Sequence, residues 1–122
     1  MLSREELLKV KGKVIAVDFD QTLAKTTAVL NEDWSAFVSF VIDEPIMPII
    51  ELCRVLQENN KMILWTVRKE NYLEEAIEFT KKHGLRWDAV NENLYPINKG
   101  CVKVWANYYI DDSVINTADL LV

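Results

Sequence analysis

Asp18 and Asp20 close an uninterrupted apolar run, Val14-Ile15-Ala16-Val17, with Phe19 between them. Apolar, largely β-branched residues with no polar break read as a strand covered on both faces, as in a parallel sheet. Residues i and i+2 of a strand point to one side, so the two carboxylates are expected to converge while Phe19 turns toward the opposite face. Two carboxylates brought close repel each other unless a cation or a proton lies between them. The spacing therefore asks for a metal ion or a shared proton, and a strand that only fills a core has no use for it.

Three further polar positions fall at comparable places. Thr66 follows the apolar run Met62-Ile63-Leu64-Trp65, and Asp111-Asp112 follow Tyr108-Tyr109-Ile110. In open α/β sheets the ligand crevice lies outside the carboxyl ends of the strands, at the point where the strand order reverses. The chemistry-bearing residues are thus expected at one sheet edge, whereas a merely solvated set of charges would scatter over both ends and the helix faces.

The elements that must position them alternate along the chain. Ser3 can cap a short helix through about Val10, with Glu6 at the capping-box spacing. The first strand follows, then the least regular segment, Ala24 to Pro45. There Trp34, Phe37, Val38, Phe40 and Val41 suit a short amphipathic helix. This segment exceeds an ordinary strand-to-helix loop of about 2–6 residues and is expected to lie over the carboxyl edge as a small flap. Pro48 suits a first helical turn, and Ile49, Ile50, Cys53, Val55 and Leu56 form a helical stripe ending near Asn59-Asn60. A strand from Lys61 to Thr66, a helix from about Lys69 to His83 stopped by Gly84, a short strand Trp87 to Asn91, a short helix or turn Val102 to Ala106 and a strand Tyr108 to Asp111 complete the pattern. Strands alternating with helices imply right-handed crossovers. The expected fold is a three-layer α/β/α Rossmann-like domain with a mainly parallel sheet, one domain over residues 1–122.

Composition narrows the alternatives. The chain has 122 residues, half of them hydrophobic, which is enough for one core. A formal charge of −5 argues against a surface built for nucleic-acid phosphates. Met1 to Gly12 is charged throughout, and no apolar stretch approaches about eighteen residues, so neither secretion nor membrane insertion is signalled. Cys53 and Cys101 lack metal-ligand spacing, and the chain has one His, which makes a zinc site improbable. A reducing cytoplasm is the expected compartment. Oligomeric state is open, and a neighbouring subunit could cover an otherwise exposed site.

Asp18-Phe19-Asp20-Gln21-Thr22 resembles the DxDx(T/V) signature of the haloacid dehalogenase superfamily. Thr66 resembles its second motif, Tyr109-Ile110-Asp111-Asp112 its acidic fourth motif, and a lysine upstream of the last strand completes the set. The resemblance spans Val14 to Ser113, and within the superfamily the chain is similar to small, nearly capless phosphatase-like members. It implies that Asp18 is the nucleophile, attacking a phosphoryl group to give an aspartyl-phosphate that water hydrolyses. Asp20 is implied as general acid for the leaving alcohol and then base for the water. Mg²⁺ is the implied cofactor, held by Asp18, the Asp20 main-chain carbonyl and one of Asp111 or Asp112. Thr66 is implied to bond a phosphate oxygen through its hydroxyl and main-chain N–H. The lysine would balance nucleophile and phosphate. Lys103, eight residues before Asp111, is favoured over Lys99 beside Gly100. Gln21 stands where the superfamily usually has glycine, so the turn after Asp20 must accept a Cβ.

Gln21, Arg68 and Trp34 are candidates for substrate contact, although Arg68 reads more simply as a surface charge at a helix start. Trp34, Phe37 and Phe40 likewise read more simply as core. His83 beside Gly84 suits a helix C-terminus. The expected activity is Mg²⁺-dependent hydrolysis of a small phosphorylated metabolite or nucleotide. The alternatives are a phosphatase of nucleic-acid ends, which the acidic chain disfavours, and a non-catalytic phospho-acceptor module. In response-regulator receivers the acidic pair comes first in the chain, whereas here Asp111-Asp112 come last.

Overall fold

The structure, a computed structural model, describes residues 3–30, 32, 37–94 and 104–111. Helix α1 (Arg4–Leu8) is capped by Ser3, whose Oγ accepts the Glu6 N–H at 3.1 Å. Strand β1 (Val14–Val17) is buried along its whole length. Strands β2 (Ala24–Leu30) and β3 (Phe37–Pro45) follow, then helix α2 (Met47–Leu56) with Pro48 in its first turn. Strand β4 (Lys61–Leu64), helix α3 (Glu70–Lys82), strand β5 (Ala89–Val90) and strand β6 (Tyr108–Ile110) complete the described elements. Gly84, just past α3, has φ +83, a conformation that glycine adopts without steric cost.

The α/β class and the parallel sheet are as expected. Strands β5, β4, β1 and β6 form one sheet in that order, and every neighbouring pair runs parallel. The chain moves outward from β1 to β4 to β5 and then returns to the far side of β1, so the strand order reverses between β1 and β6. Right-handed crossovers in one direction put their helices on one face. Accordingly Leu7 of α1, Ile49, Ile50 and Cys53 of α2 and Ala76 of α3 share a core with Ile15, Val17, Met62, Leu64 and Ile110. The opposite face buries Val14, Ala16 and Ile63 under Val104, Ala106 and Leu94, which belong to the β5–β6 connection. The expected helices on both faces are thus resolved unequally. All three described helices lie on one side, and the described parts of the return connection that cover the other side are non-helical, including Val104 to Ala106.

Residues 24–45 depart from expectation more sharply. In place of a short amphipathic helix, the backbone forms an antiparallel hairpin in which Thr26 pairs with Ile42, Thr27 with Val41 and Ala28 with Phe40. Thr26-Thr27, Val29 and Phe37-Val38, Phe40-Val41-Ile42 are β-branched or aromatic, and that preference wins over a helical spacing shared by a few of them. The hairpin forms its own two-stranded sheet, closed at its base by the Ile46 N–H on the Leu23 carbonyl at 2.9 Å.

Candidate functional site at the carboxyl edge of the sheet

β1 ends between two neighbours. Trp65, just after β4, donates its N–H to the Val17 carbonyl at 2.9 Å, and Asp18 donates its own to the Ile110 carbonyl at 3.0 Å. Asp18 and Asp111 therefore leave adjacent strands at the reversal point, where an α/β sheet opens its crevice. Asp18 is half-buried, and its Oδ1 accepts the Phe19 N–H at 2.8 Å.

Beyond Asp18 the strand does not continue. The Phe19 carbonyl accepts the N–H groups of Thr22 (3.2 Å), Leu23 (2.9 Å) and Ala24 (3.3 Å), and Gln21 returns its N–H to the Ala24 carbonyl at 2.8 Å. Gln21 has φ +64, the conformation its Cβ makes costly, and its Nε2 donates to the Thr26 carbonyl at 2.7 Å. Phe19 is fully buried and meets Phe79 edge-on at 5.7 Å. Thr22 is fully buried, and its hydroxyl finds no hydrogen-bond partner among the described residues.

Asp20 lies past the end of β1, and its carboxylate is held by Arg68. Arg68 Nε reaches Oδ1 at 3.2 Å and Oδ2 at 3.1 Å, and Nη2 reaches Oδ1 at 2.8 Å. Thr26 of the hairpin donates its hydroxyl to the same Oδ1 at 2.7 Å. The Arg68 side chain is fully buried, its guanidinium carbon lies 4.9 Å from the centre of the Phe19 ring, and Nη1 reaches the Tyr72 carbonyl at 3.3 Å. Arg68 is thus no surface charge. It ties the β1 turn to the start of α3, and Asp20 extends the tie to the hairpin. Neither this tie nor Thr26 is visible in the sequence, where 48 residues separate Asp20 from Arg68.

β4 ends at Leu64, two residues before the expected strand end, so Thr66 lies just beyond it; Thr66 is buried, but both of its groups named for phosphate have protein partners. Its N–H donates to Asn91 Oδ1 at 2.7 Å, and its Oγ1 accepts the Arg68 N–H at 3.2 Å. The hydroxyl hydrogen is not the one engaged by Arg68. Asn91, at φ +54, is a contributor the sequence reading missed. An Asn ending a strand is its only local signal. Trp34, Lys99, Lys103 and Asp112 lie outside the described residues.

No group of three or more His, Cys, Asp or Glu side chains able to hold a metal occurs among the described residues. The expected Mg²⁺ set nevertheless fits in its donor chemistry. It draws on the Asp18 and Asp111 carboxylates and on the Asp20 carbonyl, which accepts no backbone N–H from the described residues. All are hard oxygen donors. The Asp20 carboxylate, committed to Arg68, is not one of them. Two cavities lined by described residues lie elsewhere. A polar cleft of about 500 Å³ at the amino ends of the strands is lined by Gln57, Asn59, Lys61, Arg86 and Asp88. An apolar hollow of about 230 Å³ lies beside Ile77, Leu85 and Trp87. Neither touches the carboxyl-edge residues.

No helix of the described residues is long and apolar enough to cross a membrane. The chain matches no family model and no curated protein. It is similar to a conserved protein from Bacteroides thetaiotaomicron of solved structure, with 32% identity over 86% of this chain and 79% of that one and a TM-score of 0.63.

Proposed function

This chain belongs to the family of the conserved Bacteroides thetaiotaomicron protein, and we propose that it is a Mg²⁺-dependent phosphomonoesterase acting on a small phosphorylated metabolite or nucleotide through an aspartyl-phosphate on Asp18. The observation that carries the reading is the junction of Asp18 and Asp111 at the reversal point, where the Asp18 N–H meets the Ile110 carbonyl at 3.0 Å. In this reading the junction supplies a nucleophilic carboxylate and a second carboxylate for a cation, at the strand-order reversal where open α/β sheets take their ligands. Its resemblance to the haloacid dehalogenase motifs supports the same chemistry.

An Asp18 oxygen attacks phosphorus from the end of a strand anchored on both sides, so the nucleophile is positioned by two ladders rather than by a loop. Thr66 stands two residues past the end of the next strand, with its hydroxyl hydrogen proposed to bond a phosphate oxygen. Mg²⁺ supplies charge neutralisation of the phosphoryl oxygens, which is where phosphoryl transfer draws most of its catalysis. Lys103, or Lys99, is the proposed cationic partner of the phosphate. The net charge of −5 supports a small substrate over nucleic acid, and a cytoplasmic setting is part of the same proposal, in keeping with the buried free thiol of Cys53.

The test is phosphate release from sugar phosphates, nucleotides, aryl phosphates and phosphorylated oligonucleotides, with Mg²⁺ and with EDTA. Metal-dependent release from the small substrates is expected. Release from oligonucleotide ends alone would move the function to nucleic acid, and no release from any substrate would remove the phosphatase reading.

A further inference from the structure

We propose that this chain forms a two-fold dimer in which the β2–β3 hairpin of each copy seats Leu30 in the apolar hollow beside α3 and β5 of the other. The proposal does not draw on the phosphatase reading and stands or falls apart from it.

Among the described residues, the hairpin is joined to the rest of the chain at its base. Thr26 bonds Asp20, and Ile42 packs on the core. Farther out, Thr27, Ala28, Val29, Leu30 and Val41 are all exposed. Thr27 pairs with Val41 and Val29 with Ser39, so Val29 and Val41 share one face, while Leu30 turns to the other. A two-stranded hairpin standing alone in water is marginally stable. Apolar side chains gathered on such an arm mark a contact surface. The arm is also acidic, because the charged residues between Ala24 and Pro45 are Lys25, Glu32, Asp33, Asp43 and Glu44.

The hollow offers the complement. Leu85 is buried in it, Ile77, Trp87 and Val90 are half-buried around it, and the charged residues that line it are both cations, Lys81 and Arg86. Arg86 is held in place by Nη2 on the Gln57 carbonyl at 2.7 Å, and Lys81 stands exposed in the last turn of α3. The hollow measures about 230 Å³, below the roughly 300–1,000 Å³ of small-molecule sites, and suits a side chain of a protein better than a free metabolite. Leu30 supplies that side chain, and Glu32, exposed two residues further on, supplies the negative charge that the two cations attract. On a chain of net charge −5 most contacts between copies set like charges together, whereas this one sets an acidic arm against a basic rim. Each copy carries both halves of the contact, so a two-fold axis satisfies both at once and closes the assembly.

The experiment is sedimentation velocity with light scattering on the full chain, from low micromolar to submillimolar concentration. The expected mass rises with concentration from the 14.1 kDa of one chain to twice that value. Leu30→Ser, checked by circular dichroism for an unchanged fold, should weaken the dimer at least about tenfold, because the apolar anchor is lost from both copies. Glu32→Lys and Lys81→Glu should each weaken it as well. The double variant Glu32→Lys, Lys81→Glu reverses the charge pair instead of breaking it and should recover association beyond either single variant. A monomer at every concentration overturns the proposal, as does growth beyond two copies. A dimer that Leu30→Ser leaves intact, or a double variant no stronger than its singles, overturns it too.

Discussion

Thr66 gives its main-chain N–H to the side chain of Asn91 at 2.7 Å, so the end of β4 is tied to the residue that follows β5. Asn91 returns its own N–H to the Leu64 carbonyl at 2.8 Å. One residue thereby holds the end of β4 on both sides of the bend that presents Thr66. Asn91 does so at φ +54, where Asn is tolerated and alanine is strained. Asn91→Ala is expected to lose about 1–3 kcal/mol from the unpaired buried N–H and about 1–2 kcal/mol more from the backbone. Asn91→Gly should lose only the first. Denaturant midpoints of the two variants check this, and equal losses would show that the φ angle carries no cost.

Asp18→Asn should abolish phosphate release while leaving the fold intact. The amide keeps an oxygen to accept the Phe19 N–H, now at 2.8 Å, but it is no nucleophile. Its Tm without metal should equal or exceed that of the parent, since carboxylate repulsion at the strand ends is reduced. Circular dichroism and a phosphate-release assay suffice. Near-parental turnover would eliminate the covalent mechanism.

Mg²⁺ should raise the Tm of the parent in proportion to its occupancy, by about 2.7 kcal/mol of stability at a hundredfold excess over Kd. The double variant Asp111→Asn, Asp112→Asn should lose most of that shift. A full shift in the double variant would place the cation away from β6.

The Thr22 hydroxyl is fully buried and lacks a hydrogen-bond partner among the described residues. Thr22→Val keeps the shape and removes the stranded polar group, so it should stabilise the protein by about 1 kcal/mol or more and raise Tm by a few degrees. A lower Tm would mean that the hydroxyl is satisfied after all in solution.

Burial pushes the Cys53 thiol from 9.0 up to about 12. In the unfolded chain the thiol ionises first, so from pH 9 upward the unfolded state binds fewer protons than the native one. The stability due to the neutral thiol is complete below pH 9 and is lost as pH rises toward 12. In a Cys101→Ser background, thiol reagents should label Cys53 only on unfolding. Cys53→Ala should flatten the alkaline fall of Tm, and an identical fall would assign it to other groups.

What the sequence made legible were elements whose signal is local. β1 and β4 are apolar runs, α2 is a stripe opened by Pro48, and α3 stops before Gly84. The edge that carries Asp18, Thr66 and Asp111 follows from where those elements end. Arg68 was misread because an arginine two residues after a strand-end threonine looks like the solvated start of a helix. Its burial depends on Phe19 and Asp20, residues brought to it only by the sheet order. The hairpin was misread because Phe37, Phe40 and Val41 satisfy a helical spacing and a strand equally well, and only β-strand pairing with Thr26 to Val29 decides between them.

The two strands of the hairpin meet the core at a neck, where Ala24 pairs with Pro45 and the Ile46 N–H meets the Leu23 carbonyl. With the neck pinned, the free energy of closing whatever hangs beyond it grows only logarithmically, by about 0.6 kcal/mol for each doubling of length. Beyond Thr26, which bonds Asp20, and Ile42, which packs on the core, residues 27–41 are therefore a replaceable cartridge. A longer excursion, or a separately folded module, can be spliced there while β1, α2 and the parallel registers behind them keep their geometry.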